Sequence, residues 1–237
     1  IADFRVRYFL SDREIPFAGH PTIATAMSLI SRSKHVKNKF VFETLAGLIH
    51  VEVSCSSDQT KISMTQPKPK FGFKIEKKVL SEIGGIPENS ILCKPQVVST
   101  GLPFPIVLVD TLETLQKVTI DYQALDKFRA TSSENDLMEP FWVCLSPPRE
   151  NGITFSRLLL QSGGRSEDPF TGSATGAMAA YLWDNGLIQK PTFTAHQGDF
   201  LGRPGEAEVE VLGRPGNISG VKVTGSAYIL MTGKLKI

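Results

Sequence analysis

The chain has 237 residues, of which 41% are hydrophobic and 21% charged, and a formal net charge of +2. This is ordinary globular composition and enough chain for one large domain or two compact halves. So even a charge balance leaves no electrostatic footprint for nucleic acid or an acidic membrane surface.

No apolar run is long enough to span a bilayer. The three cysteines, Cys55, Cys93 and Cys144, are odd in number and widely spaced, so they do not suggest a disulfide framework. With no charged-then-apolar leader at Ile1, the protein is expected to be cytoplasmic, with free thiols.

In chain order, Phe4, Val6, Tyr8 and Leu10 alternate as in a strand, and Pro21 to Ile30 has small and apolar residues suited to an enclosed helix. Phe40 to Phe42 and Leu48 to Val53 read as a hairpin about Ala46-Gly47, with a further strand over Lys61 to Met64. After the stiff connector Gln66 to Lys70, a short helix over Val79 to Ile83 stops at Gly84-Gly85. A second block opens near Gln96, with strands at Val97-Val98 and Ile106 to Val109. Helical spacing then runs from Leu112 to Phe128. Strands over Phe141 to Leu145 and Ile153 to Leu160 flank the turn signal Glu150-Asn151-Gly152. A helix through Trp183 and closing strands from Thr192 to Ile237 complete the chain.

Two stretches repeat. EIPFAGHPTIATAMSLI, from Glu14 to Ile30, aligns without gaps to EDPFTGSATGAMAAYLW, from Glu167 to Trp183, with roughly half of the positions identical. Each is an acidic residue, a Pro-Phe pair, a Gly turn and an apolar helix. The spacing predicts two similar halves of strands wrapped about one helix, over 1–94 and 95–237, with the last strand (about 221–237) able to pack back on the first half. A Gly turn feeding a helix leaves backbone N–H groups without partners at the positive end of the helix dipole, a ready site for a carboxylate or phosphate. If the two starts face each other across one cleft, the residues that differ between the repeats supply the chemistry: His20 in the first, Asp168 and Ser173 in the second. A His facing a carboxylate is a proton-transfer set, because His titrates near neutral pH. Neither turn has the glycine spacing of a phosphate loop. His35, His50 and His196 are scattered, so no metal site is expected.

Glu14 to Thr22 closely resembles the first signature of the PhzF-like (phenazine biosynthesis-like) family, and Glu167 to Ala174 resembles its second. Ser99-Thr100-Gly101 and Gln197-Gly198 with Gly202-Arg203-Pro204 match turns between and after them. The resemblance implies an α/β (α+β) fold like that of diaminopimelate epimerase: two pseudo-symmetric halves, each a curved sheet or barrel around a central helix, with the site between. It implies a cofactor-independent, metal-free isomerase that moves a proton on a small carboxylated, cyclic substrate. It further implies His20 and Asp168 as catalytic residues. Gly19, Pro21 and Thr22 on one side, with Gly172, Ser173 and Ala174 on the other, would bind the substrate carboxylate.

Relatives of this fold that racemise amino acids use a facing pair of cysteines. In the aligned turns those would stand where this chain has Ala18 and Thr171, so a two-thiol epimerase is not expected. Family members open with a further strand and helix that carry the Glu regarded as the principal general acid/base; by that comparison this chain starts after it, with its first half truncated. Glu14 is no substitute, since Glu167 is its equivalent and both look structural. An exposed sheet edge would encourage pairing as a homodimer. The alternative to an isomerase is a non-catalytic ligand-binding or scaffold protein of the same fold. Substrate-selecting residues are expected in the loops Pro103 to Pro105 and Gln161 to Ser166.

Overall fold

A computed structural model describes residues 1–10, 13–32, 37–56, 59–132, 137–145, 153–161 and 167–233. The first strands are β1 (Phe4–Arg5), β2 (Tyr8–Phe9) and β3 (Glu14–Ile15), followed by helix α1 (Gly19–Arg32). Then come β4 (Lys39–Thr44), β5 (Gly47–Cys55), β6 (Thr60–Gln66), β7 (Lys70–Lys74) and α2 (Lys77–Gly84). The middle of the chain supplies β8 (Gln96–Ser99), β9 (Pro103–Val109), α3 (Leu112–Lys117), α4 (Tyr122–Thr131), β10 (Phe141–Leu145) and β11 (Thr154–Leu159). It closes with β12 (Glu167–Asp168), α5 (Gly172–Asp184), β13 (Thr192–Gln197), β14 (Gly205–Arg214) and β15 (Asn217–Ser226).

Among the described residues thirteen strands join into one mixed sheet, ordered β1-β4-β5-β6-β15-β14-β13-β11-β10-β9-β8-β7 with β12 added on β11. The last strand returns to the first block: β15 pairs antiparallel with β6, Val221 opposite Gln66 and Val223 opposite Met64. At the other end β7 pairs with β8, so the expected division after residue 94 falls between two bonded strands.

The apolar runs of β9 and β10 are covered on both faces, the pattern of strands buried between layers. Alternate residues Ile106, Leu108, Phe141 and Val143 point into a core shared with α5, whereas Val107, Val109, Trp142 and Cys144 point into a second core under α2, α3 and α4. Pro103 to Pro105 is therefore fully buried strand and not the loop expected.

The two central helices are unequally enclosed. Eleven of the thirteen residues of α5 are buried, and its small side chains let β8, β9, β10, β14 and β15 close round it. In α1 only Gly19, Thr22 and Ala26 are buried; it packs chiefly on β6, so the expected enclosure holds for one helix and not the other. Two further expectations fail locally. The alternation from Phe4 to Leu10 breaks into β1, which pairs parallel with β4, and β2, which pairs with β3; of the four residues Tyr8 alone is buried. The helix expected over Leu112 to Phe128 is two helices. The linker between them is tied to the end of α2 by Thr119 N–H to Gly84 O (3.1 Å) and Asp121 N–H to Ile83 O (2.9 Å). The Asp121 carboxylate then accepts from the N–H groups of Gln123 and Ala124, which starts α4 as a side-chain cap does. The turn Glu150-Asn151-Gly152, most of the loop to Ser166 and the end of the closing segment after 233 lie outside the described residues.

Candidate active site

The repeated motifs are built alike. In each, the acidic residue sits on a short strand and is gripped by an arginine. Arg7 donates to both oxygens of Glu14 (2.9 and 2.8 Å) at the surface. Arg157 does the same to Glu167 (3.0 and 2.8 Å) in the interior. Arg157 also gives Nη1 to the carbonyls of Leu115, Gln116 and Val118 at the end of α3 (2.9–3.1 Å). Both glutamates are thus structural.

The chain then turns into a glycine that starts a helix, and the two glycines meet. A Cβ placed on Gly19 would lie 2.7 Å from Gly172 Cα and 2.8 Å from Ser173 N. No side chain fits at position 19, which explains the glycine in the first copy of the repeat.

Buried amides brace the contact. Gln66 donates from Nε2 to the Gly172 carbonyl (2.7 Å) and accepts from the Thr100 hydroxyl (2.5 Å). Gln197 accepts from Thr171 N–H (2.9 Å) and donates to the Asp168 carbonyl (2.7 Å) and the Thr171 hydroxyl (3.0 Å). That hydroxyl in turn donates to Asp168 Oδ2 (2.5 Å), so a directed chain of bonds sets the carboxyl.

The first backbone bond of α5 runs from Thr175 N–H to Thr171 O (2.9 Å). The N–H groups of Gly172, Ser173 and Ala174 consequently have no acceptor among the described residues.

A cleft of about 360 Å³ opens where the starts meet. Gly19, His20 and Pro21 line it from one motif, Asp168, Gly172 and Ser173 from the other. Two expected ligand residues turn their side chains away from the cleft: Thr22 is fully buried, its hydroxyl shared with Tyr8 (2.6 Å) and the Ala18 carbonyl (2.6 Å), and the Ala174 methyl is buried in the core, which leaves Ala174 its backbone N–H alone. Both side chains are turned to packing by the helical period, which faces only the first residues of each helix to the cleft. Ala18 and Thr171 line the cleft where a thiol pair would stand, and none of Cys55, Cys93 and Cys144 does.

His20 is exposed, and its Nδ1 lies 3.1 Å from the Phe170 carbonyl. A carbonyl only accepts, so Nδ1 carries a proton in this bond, and Nε2 is the nitrogen that holds the lone pair whenever the ring is neutral. Burial pushes the Asp168 carboxyl above the usual carboxylate range, against the opposing pull of the Thr171 hydroxyl and the charges of His20 and Arg203. A raised folded-state pKa means that the folded chain holds this proton more tightly than the unfolded chain. The resulting stabilisation is complete below the unfolded value and is lost as pH rises through the folded one. Asp168→Asn keeps an acceptor for Thr171 and sheds the buried charge. Its melting temperature is expected to exceed that of the wild type at neutral pH, with the gap closing below about pH 4; calorimetric scans across pH check this.

Sequence reasoning placed Gln197 only in a turn and missed its bracing role, along with Gln66, the arginine grips and Glu139. The last lines the cleft from the segment before β10 and is 7% exposed. Its signal was there to be read: Glu139 is the single charged residue in the otherwise apolar run Leu137 to Leu145.

The mixed α/β fold is shared with PhzF-family proteins and with a hydroxyproline epimerase and a probable proline racemase, and relatives named as isomerases place the chain in the isomerase class in general. The profile of phenazine biosynthesis-like proteins (PhzC-PhzF) matches residues 1–233, and the chain belongs to that family. An uncharacterized isomerase of Clostridium acetobutylicum is 31% identical over 246 residues, covering 98% of this chain and 79% of that one. The solved structure of a predicted epimerase from Pseudomonas aeruginosa superposes with a TM-score of 0.74 at 28% identity, covering 96% of this chain and 79% of that one. A hydroxyproline epimerase from Agrobacterium vitis shares the fold at a TM-score of 0.64 and 16% identity, over 94% of this chain and 67% of its own. No helix among the described residues is long and apolar enough to cross a membrane.

Proposed function

We propose that the protein is a cofactor-independent isomerase that moves a proton on a small carboxylated substrate, with a ring-sized body, held between the two glycine turns. The observation that carries this reading is the lining of one cleft by His20 and Asp168, drawn from the two copies of one motif. The free N–H groups at the start of α5, with the helix dipole behind them, bind the carboxylate and stabilise negative charge that develops on it as the neighbouring carbon loses its proton. Asp168, whose burial favours the protonated form, and the Nε2 lone pair of His20 are the groups that give and take that proton. Positioned groups of this kind contribute ~10² to 10⁴ in rate. With Ala18 and Thr171 before the glycines, the proton moves without a thiol pair.

Incubation with small cyclic carboxylates in deuterated water tests the reading. Solvent deuterium is expected at a carbon adjacent to the carboxylate, or conjugated with it, in recovered substrate and product. A complete absence of label across the series would overturn it in favour of a binding protein.

A further inference from the structure

The cleft is not uniform. The helix starts bring His20, Asp168 and Ser173 to it, and the walls mix apolar side chains such as Leu102, Phe104 and Leu158 with the cations of Arg7 and Arg13. Set into those walls is one more carboxylate, Glu139, whose side chain is 9% exposed. Its place is fixed from two sides: Met138 N–H bonds to the Pro103 carbonyl (2.9 Å), and Arg129 lies 3.3 Å from Glu139 Oε2. The Gln161 N–H donates to Oε1 at 3.3 Å.

Both contacts are long for charge-assisted bonds, which close to about 2.7–2.9 Å when nothing competes. An ionised carboxylate has about four lone-pair sites, and its partners among the described residues use two of them. A buried carboxylate with acceptor capacity to spare, in the wall of a ligand cleft, favours a ligand with a donor opposite it.

Arg129 does not depend on Glu139 alone. Its Nε donates to the Leu137 carbonyl (3.1 Å) and Nη1 to Gln161 Oε1 (2.9 Å), so the arginine keeps partners when Glu139 is changed.

We propose that Glu139 determines specificity by accepting a hydrogen bond from an amine or hydroxyl carried on the substrate away from its carboxylate. The substrate class is then a small ring carboxylate bearing a donor, and not an unsubstituted apolar one. This rests on the reading of the helix starts as the carboxylate site.

Three probes separate the two claims: cyclohexanecarboxylate and its trans-4-amino and trans-4-hydroxy derivatives, titrated calorimetrically into the wild-type protein. The amino acid is expected to bind roughly tenfold or more tighter than the bare ring, the scale of one charge-assisted hydrogen bond, with the hydroxy acid between. Glu139→Gln, which keeps an acceptor, should lose the preference for the amine and retain that for the hydroxyl. Glu139→Leu should reverse the order in favour of the bare ring.

A merely structural ion pair would leave the order of the three probes unchanged in both variants, and that result overturns the proposal. If the bare ring binds the wild type as tightly as the substituted ones, the carboxylate site stands and the role of Glu139 falls. If none of the three binds, both fall. The wild-type comparison decides even where a variant does not fold.

Discussion

Gly19→Ala is expected to wedge the two motifs apart and abolish proton exchange, while Gly172→Ala is far milder. The difference lies in what each new methyl meets. At position 19 the nearest atoms are the Cα and carbonyl carbon of Gly172 and the nitrogen of Ser173, all backbone and all at 2.7–2.8 Å. None can rotate away, so one helix start must move bodily. At position 172 the nearest atom is the terminal methyl of Met64 at 3.1 Å, a flexible end that can yield, and Gly19 Cα stands back at 3.3 Å. Overpacking of the first kind costs about 1–3 kcal/mol and sometimes more. Urea denaturation of the two variants should therefore give a large loss for Gly19→Ala and a small one for Gly172→Ala. Equal losses would show that the motifs do not touch as described.

The second large effect is expected at Arg157, and its contrast with Arg7 is the informative part. Arg157→Met strands the Glu167 carboxylate, 7% exposed, and takes a donor from three carbonyls at the end of α3. Removing one member of a buried ion pair costs about 3–5 kcal/mol, because the survivor stays buried and charged. Arg7→Met removes the matching partner of Glu14 at a surface where water replaces it, so the unfolding midpoint should scarcely move. Adding Glu167→Leu to Arg157→Met should recover part of the loss by removing the stranded charge. If Arg157→Met alone is neutral, the Asp168 motif is not anchored through this pair.

What was legible in the chain was what a local pattern can carry. The duplicated motif placed both helix starts, paired them across one cleft and singled out His20 against Asp168 and Ser173, because a repeat compares each residue with its own counterpart. Gly84-Gly85 ended α2 as read, Gly85 taking the left-handed conformation (φ 61°) that closes a helix. The failures share a cause. Val118 to Asp121 has helical spacing, yet the backbone groups of Thr119 and Asp121 bond to the end of α2, thirty-odd residues earlier, and that bonding breaks the helix. The exposure of α1 depends on which strands reach it, so its small residues gave no warning. Gln66, Gln197 and Glu139 are remote in sequence from both motifs; only the sheet brings them to the turns. Thr22 and Ala174 follow the cleft-lining residues directly in each motif, but the helical period turns the Thr22 hydroxyl and the Ala174 methyl into the core.

The central claim is that one proton moves between groups contributed by the two copies of the motif. Its most direct test is the rate of solvent deuterium incorporation into a ring carboxylate that the wild type labels, measured beside His20→Asn and Asp168→Asn variants whose folding is verified by thermal unfolding. Each variant should label ~10²- to 10⁴-fold more slowly than the wild type, with Asp168→Asn at least as stable as the wild type at neutral pH. Labelling at the wild-type rate by either folded variant would contradict the assignment of the proton transfer to this pair.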